Sequence, residues 1–270
     1  MKSLHLIPTE DGTPSLYSDE YGQAMHTHSG AYTEALVKHV RPSGILARDE
    51  GALRVLDVGF GIGYNTLALL SEFRRDGRGQ RLEIVTLEKD LPPVEIMESI
   101  SFQGEMGALY GMLKKLNGHS EVREDNFTVR MLTGDARKTV RDLIASRYHA
   151  IFHDPYSPAK NPELWTVEFF RELYRVADDG CTLTTYSGAL QVRAALMEAG
   201  FVIGRGPAMG HKREGTLATK GARLEPLDEM ARGELQSSVK ATPYRDKTLA
   251  AGREEILNRR KDEMAARRKS

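Results

Sequence analysis

The chain has 270 residues, 40% hydrophobic and 28% charged, enough apolar material for one core-bearing domain with appendages. Its 38 basic and 38 acidic residues cancel, which excludes a global field steering it toward nucleic acid, so RNA contact would have to come from local patches. The lone Cys181 excludes an internal disulfide or a Cys-type zinc site, and its apolar run reads as a buried position in a reducing compartment.

Residues 1–50 read as an extension covering the site. Met1 to Pro8 lacks a long apolar run, so neither a signal peptide nor a membrane span is expected, and the expected location is cytoplasmic. Tyr17, Tyr21, His26, His28 and Tyr32 lead into a helical stretch predicted from Ala31 to Val40.

From about 51 to 220 strands and helices alternate. An apolar run (Val55, Leu56) closes on Asp57 and leads into Gly59, Gly61 and Gly63, with a helix predicted from Asn65 to Phe73. Glycine removes a Cβ where backbone must turn tightly or touch a ligand, and the helix aims free N–H groups at whatever is bound. The spacing Asp-x-Gly-x-Gly-x-Gly differs from the dinucleotide pattern Gly-x-Gly-x-x-Gly and points to S-adenosylmethionine rather than NAD; a plain strand-to-helix turn is the competing reading. On the cofactor reading, Asp57, Gly59, Gly61, Gly63 and Asn65 belong to the binding loop. A second strand ends at Glu88, where a carboxylate can accept both ribose hydroxyls. An inserted helical stretch follows from Pro92 to Gly118. A third strand, Thr128 to Leu132, ends near Asp135, which can reach an adenine amino group or cap a helix predicted from Ala136 to Ala145, two roles that can coexist.

Ala150 to His153 reads as a fourth strand with Asp154-Pro155-Tyr156 at its carboxyl end, the edge of an open parallel sheet where ligands sit. A carboxylate there can hold a cationic amine, assist its deprotonation and stabilise charge developing on nitrogen, while Tyr156 offers a face for a base. A turn or cap acid is the plainer role for Asp154. Phe201 to Ile203 and Gly215 to Thr219 read as a closing hairpin with one antiparallel strand. Residues 221–270 form a charged tail whose last segment, Arg253 to Lys269, has few apolar positions and reads as a solvated or loosely docked helix. His26, His28 and His211 lack a metal-binding spacing, and no metal is expected.

Asp154-Pro155-Tyr156 resembles a shortened Asp/Asn-Pro-Pro-Tyr element of amino-directed methyltransferases. The longer string from Asp154 through Ser157, Lys160, Asn161, Pro162 and Trp165 resembles the methyltransferase module of the bacterial tRNA 5-methylaminomethyl-2-thiouridine biosynthesis enzymes. Thr184-Thr185-Tyr186, Val192-Arg193, Ala199-Gly200-Phe201 and Gly210 to Glu214 agree, so the resemblance runs from about residue 18 to 220. That family usually has phenylalanine where Tyr156 stands. The resemblance implies a Rossmann-like class I α/β methyltransferase with a mainly parallel seven-stranded sheet and one antiparallel strand. It also implies methyl transfer from S-adenosylmethionine to 5-aminomethyluridine at the tRNA wobble position, with no FAD-dependent oxidase half in this chain. Asp154 and Tyr156 would be catalytic, and Lys160, Lys212 and Arg213 would meet anticodon phosphate unless each is a solvated surface charge. Trp165 and Pro162 would lock the loop by packing.

Ser29 to Leu36 followed by His39-Val40 also resembles the entry segment of polyamine aminopropyltransferases, which share the fold. That reading leaves the string from Asn161 to Trp165 unexplained. A non-catalytic module binding S-adenosylmethionine or RNA is the third reading.

Overall fold

The computed structural model describes residues 4–209, 214–221 and 224–269. The first residues form a small antiparallel sheet of β1 (Leu4–Ile7), β2 (Ser15–Ser18) and β3 (Gln23–Ala24). A helical run follows: α1 (Ala31–Ala35), a π-helical turn (Leu36–Val40) and α2 (Arg41–Ser43), stopped by Gly44 in the left-handed region, φ 66°. Then come β4 (Ala52–Val58), α3 (Tyr64–Asp76), β5 (Arg81–Glu88), α4 (Val94–Ser99), α5 (Gly104–Lys114), β6 (Glu121–Glu124) and β7 (Phe127–Thr133). After α6 (Ala136–Thr139) come β8 (Tyr148–His153), α7 (Val167–Val176), β9 (Ala177–Thr185), α8 (Leu190–Ala199), β10 (Val202–Arg205) and β11 (Thr216–Thr219). The last helices are α9 (Glu229–Ser237) and α10 (Arg253–Arg267).

The main sheet runs β10-β11-β9-β8-β4-β5-β7-β6. Its centre is parallel, and β11 runs antiparallel to both neighbours. Seven strands make the expected arrangement; the eighth, β6, is an added edge strand antiparallel to β7. Three of its four residues are charged and only Val122 is buried, so it carries no strand signal and suits an exposed edge.

Alternation along the central strands splits the core between the two faces of the sheet. Leu53, Val55, Ile84, Ala150 and Phe152 pack with α3, α5 and the first helical run. Leu56, Val58, Val85, Ile151 and Leu183 pack with α7, α8 and the segment after 224. Covered on both faces, β4, β5 and β8 are buried along most of their length even where the sequence is polar, as at Asp57, Thr86 and His149.

One expectation is corrected, and between two readings of the tail the structure decides. The helix predicted from Ala136 to Ala145 ends at Thr139 and passes into a 3-10 turn, Val140–Asp142. Arg175 from α7 donates to the freed carbonyls of Val140 and Leu143, each at 2.9 Å, and so caps the short form. Of the two readings of the final segment, solvated or loosely docked, the second holds: Ile256 of α10 is buried, the Arg260 guanidinium lies 4.9 Å over the ring of buried Tyr244, and the stretch before α10 packs through Leu227 and Leu235, with Arg245 gripping Glu198 of α8. Its anchors come singly from successive turns instead of as a periodic stripe. No helix among the described residues is long and apolar enough to cross a membrane.

Candidate active site

Strand register builds the site. Val58 is level with Leu87 on one side and His153 on the other, so the residues after β4, β5 and β8 meet at one edge. Gly59 N–H donates to Leu87 O at 3.0 Å, and Asp154 N–H donates to Val58 O at 3.0 Å. The chain leaves β4 for β5 and β7 on one side and returns to β8 on the other, the switch point where open parallel sheets hold ligands. Gly59 has φ 93°, and a Cβ there would lie 2.9 Å from the Asp154 carbonyl oxygen, so glycine lets the two loops touch.

A cavity of ≈ 370 Å³ opens on this edge, within the range of small-molecule sites. Gly59, Gly61, Asn65, Glu88, Asp135, Asp154 and Tyr156 all line it, as does the extension through Ser18, Glu20, Tyr21, Met25 and His26. Asn161, Glu163 and Leu164 complete one wall. Asp57 and Gly63 are not part of the lining. Asp57 shares the face of Val55 beneath α3, is 1% exposed, and accepts from Thr66 Oγ1 at 3.0 Å and Asn65 Nδ2 at 3.4 Å. Gly63 begins α3, where a Cβ would strike the Phe60 ring. Both shape the loop from behind.

The carboxylates differ in setting. Burial pushes Asp57 up to about 7, with the Asp154 charge adding to the effect against the hydrogen bonds from Thr66 and Asn65. Burial also works to raise Asp154, but His39, when it carries a proton, and the amide of Asn65 outweigh it and hold the group below its ordinary value. Asn65 Nδ2 donates to Asp154 Oδ2 at 3.0 Å, so one amide bridges both acids. Glu88 is raised by burial, against N–H groups of Gly61, Asp90 and Lys89 that donate to its carboxylate. Asp135 caps α6 by accepting from Arg137 N–H; burial opposes its ionisation, yet the Arg137 guanidinium holds it low. Arg137 in turn donates to Asp246 Oδ2 and Ala251 O, both at 2.8 Å.

The loop after Asp154 is fixed from below. Trp165, wholly buried, donates from Nε1 to Tyr156 O at 2.8 Å, and Tyr186 Oη donates to Pro155 O at 3.0 Å. Above, the Tyr21 ring stacks on Tyr156 with centroids 4.0 Å apart, and Ser157 Oγ donates to Gln23 Oε1 at 2.6 Å. Lys160 is half-buried, and a Cβ on Gly22 would lie 3.5 Å from its Nζ. Lys212, Arg213 and His211 lie outside the described residues.

Sequence reasoning missed three residues that reach this site: His39, whose ring lies 3.7 Å from Asp154, Tyr21 as a stacking partner, and Arg137. Tyr21 left a local trace as one of several aromatics in the extension, and His39 one as part of the His39-Val40 pair in the aminopropyltransferase-like entry segment. The lining suits a ligand with hydroxyl and amino donors and a cationic centre, because three half-buried carboxylates face it as acceptors: Glu88, Asp135 and Asp154. At Gly61 an added Cβ would lie 3.2 Å from Met25 Sδ, inside the cradle itself. The residues present therefore fit S-adenosylmethionine.

A family model described as S-adenosyl-L-methionine-dependent methyltransferase matches residues 104–221. An uncharacterized protein of Methanocaldococcus jannaschii is 34% identical over 97% of this chain and 73% of its own length. The tRNA 5-methylaminomethyl-2-thiouridine biosynthesis bifunctional protein MnmC of Ralstonia nicotianae is 32% identical over 77% of this chain and 33% of its own. The chain thus spans about a third of the length of that bifunctional relative. The crystal structure of MnmC2 from Aquifex aeolicus superposes with a TM-score of 0.89 at 33% identity, covering 98% of this chain and 86% of that one. A probable spermidine synthase from Corynebacterium glutamicum, at 16% identity and a TM-score of 0.52, shares the fold alone.

Proposed function

Because the chain belongs to the MnmC2-type family of S-adenosyl-L-methionine-dependent methyltransferases, we propose that it methylates the primary amine of 5-aminomethyluridine, with or without the 2-thio group, at the wobble position of tRNA. The observation that carries this reading is Asp154: an acid kept ionised in spite of burial, on the inner wall of the cavity. An alkyl amine, with a solution value near 10.4, arrives mostly as ammonium at neutral pH and must lose a proton before it can attack. Asp154 attracts that ammonium, orients it, and stabilises the charge that returns to nitrogen. S-adenosylmethionine, when bound, supplies an electrophilic methyl group on a sulfonium. Glu88 and Asp135 hold its nucleoside end, Gly59 and Gly61 let the backbone approach it, and Asn65 keeps Asp154 in place. Tyr156 flanks the base, kept as a neutral phenol because burial pushes its ionisation up.

The anticodon is proposed to dock through local cations, Lys160, Lys212 and Arg213, since the chain as a whole is uncharged. Affinity should then fall steeply with salt, and removing Lys212 and Arg213 together should lower the slope by up to about 2 units. Salt-independent binding would favour a small-amine substrate.

The central test incubates purified protein and labelled methyl donor with tRNA from cells that lack it, followed by nucleoside mass spectrometry. The expected result is conversion of the aminomethyl to the methylaminomethyl nucleoside. Aminopropyl transfer to putrescine from the decarboxylated cofactor, or cofactor binding with no turnover on any tRNA, would overturn the proposal.

A further inference from the structure

His39 sits in the π-helical turn, 1% exposed, with its Nε2 3.7 Å from Asp154 Oδ1 and without a hydrogen-bond partner. Local π geometry is uncommon and recurs at functional sites; here it accompanies a wholly buried ring aimed at the reacting carboxylate. The other ring nitrogen, Nδ1, lies 2.9 Å from Thr184 Oγ1 on β9. A threonine hydroxyl has one proton, and that of Thr184 points to Ile151 O at 3.5 Å, which leaves Thr184 to accept from Nδ1–H. In the neutral ring the bare nitrogen is therefore Nε2, facing an anionic oxygen. A proton placed between the two satisfies both.

We infer that His39 is the positioning residue that takes, through Asp154, the proton released by the substrate ammonium. The inference rests on the amine-methylation reading above. The ammonium docked on Asp154 gives up one proton, which passes to Nε2 and leaves a neutral amine beside an Asp154–imidazolium pair. The nitrogen lone pair then forms the new N–C bond while the C–S electron pair goes to sulfur, and the product leaves as a secondary ammonium. His39 returns its proton to solvent after product departs. The ionisable groups that face this pair are Asp57 on β4, His153 on β8, His26 from the extension and Tyr186 after β9, with Glu34 of α1 acting on Tyr186 in turn. The Phe152 ring, 5.7 Å away, supplies an apolar wall.

His39→Asn is the discriminating variant, because its amide can still donate to Thr184 while the proton-accepting nitrogen is gone. Single-turnover methylation at neutral pH should fall about 100-fold, the lower end for loss of a positioned proton acceptor, with an unchanged calorimetric affinity for S-adenosylmethionine. The deficit should shrink as pH rises toward about 10, where the amine arrives neutral. A wild-type rate, or a deficit of equal size at every pH, would overturn the assignment. Nitrogen-15 NMR of the imidazole in the intact, cofactor-free protein tests the same point without turnover. Where the ring is neutral, its proton is expected on Nδ1, with that tautomer lost in Thr184→Val; a neutral ring protonated on Nε2 would overturn the assignment. If wild-type protein turns over no tRNA, the substrate reading has failed, and the NMR result still decides the role of His39.

Discussion

The carboxyl ends of β4 and β8 lie side by side and each carries an acid, yet Asp57 and Asp154 are held in opposite ways. Asp57 is the last but one residue of its strand, so its side chain falls under α3 and burial drives it toward the neutral form. Asp154 is one residue past its strand, on the cavity wall, where the Asn65 amide, and His39 once it carries a proton, favour the anion. A displacement of two residues relative to the strand end thus separates a structural acid from a chemical one. The same amide nitrogen touches both, so Asn65 carries the position of one to the other.

Replacing the chemical member should give the largest effect. Asp154→Asn keeps the shape and removes the charge, so single-turnover methylation at neutral pH should fall by about 10²–10⁴ while the cofactor still binds. A variant working at the parent rate would reduce Asp154 to a turn residue and dissolve the contrast. The neighbouring strand end sharpens it: Glu88→Ala should weaken S-adenosylmethionine binding by about ten- to a hundredfold, read by calorimetry. An unchanged dissociation constant would remove Glu88 from the cofactor site.

The smallest effect belongs to Asp57, and it concerns stability. Its folded value, about 7, lies above the ordinary 3.8, so between these the folded chain holds a proton that the unfolded chain has lost. Stability from this group is full below about 4 and declines as pH rises toward about 7. Asp57→Asn should leave thermal unfolding nearly unchanged below about pH 4 and raise stability by on the order of 1–3 kcal/mol at pH 8. A loss at both pH values would show that the carboxylate's hydrogen bonds outweigh its buried charge.

The β4 loop, the strand ending at Glu88 and the Asp154 edge were legible in sequence because each is a local pattern: an apolar run, a glycine or acid, then a helix. Asp57 was placed in the binding loop by the motif, which gives residue type and spacing but not the face. Alternation along β4 puts it with Val55, away from the cavity. The edge strand β6 left no apolar alternation to read. His39 and Thr184 lie 145 positions apart, and nothing local announces that a helix of the extension will press on the fourth and fifth parallel strands. The sequence left the tail open between solvated and loosely docked for a related reason, since Leu227, Tyr244 and Ile256 are isolated apolar residues whose partners lie in α7 and α8 or their neighbourhood.

Arg137 and Asp246 are 109 positions apart, and this spacing orders events during synthesis. At about 5–20 residues per second, roughly 5–20 s of translation separate the buried guanidinium from its second carboxylate. A nascent chain that has already made the glycine loop and the parallel strands still lacks the clasp behind Asp135.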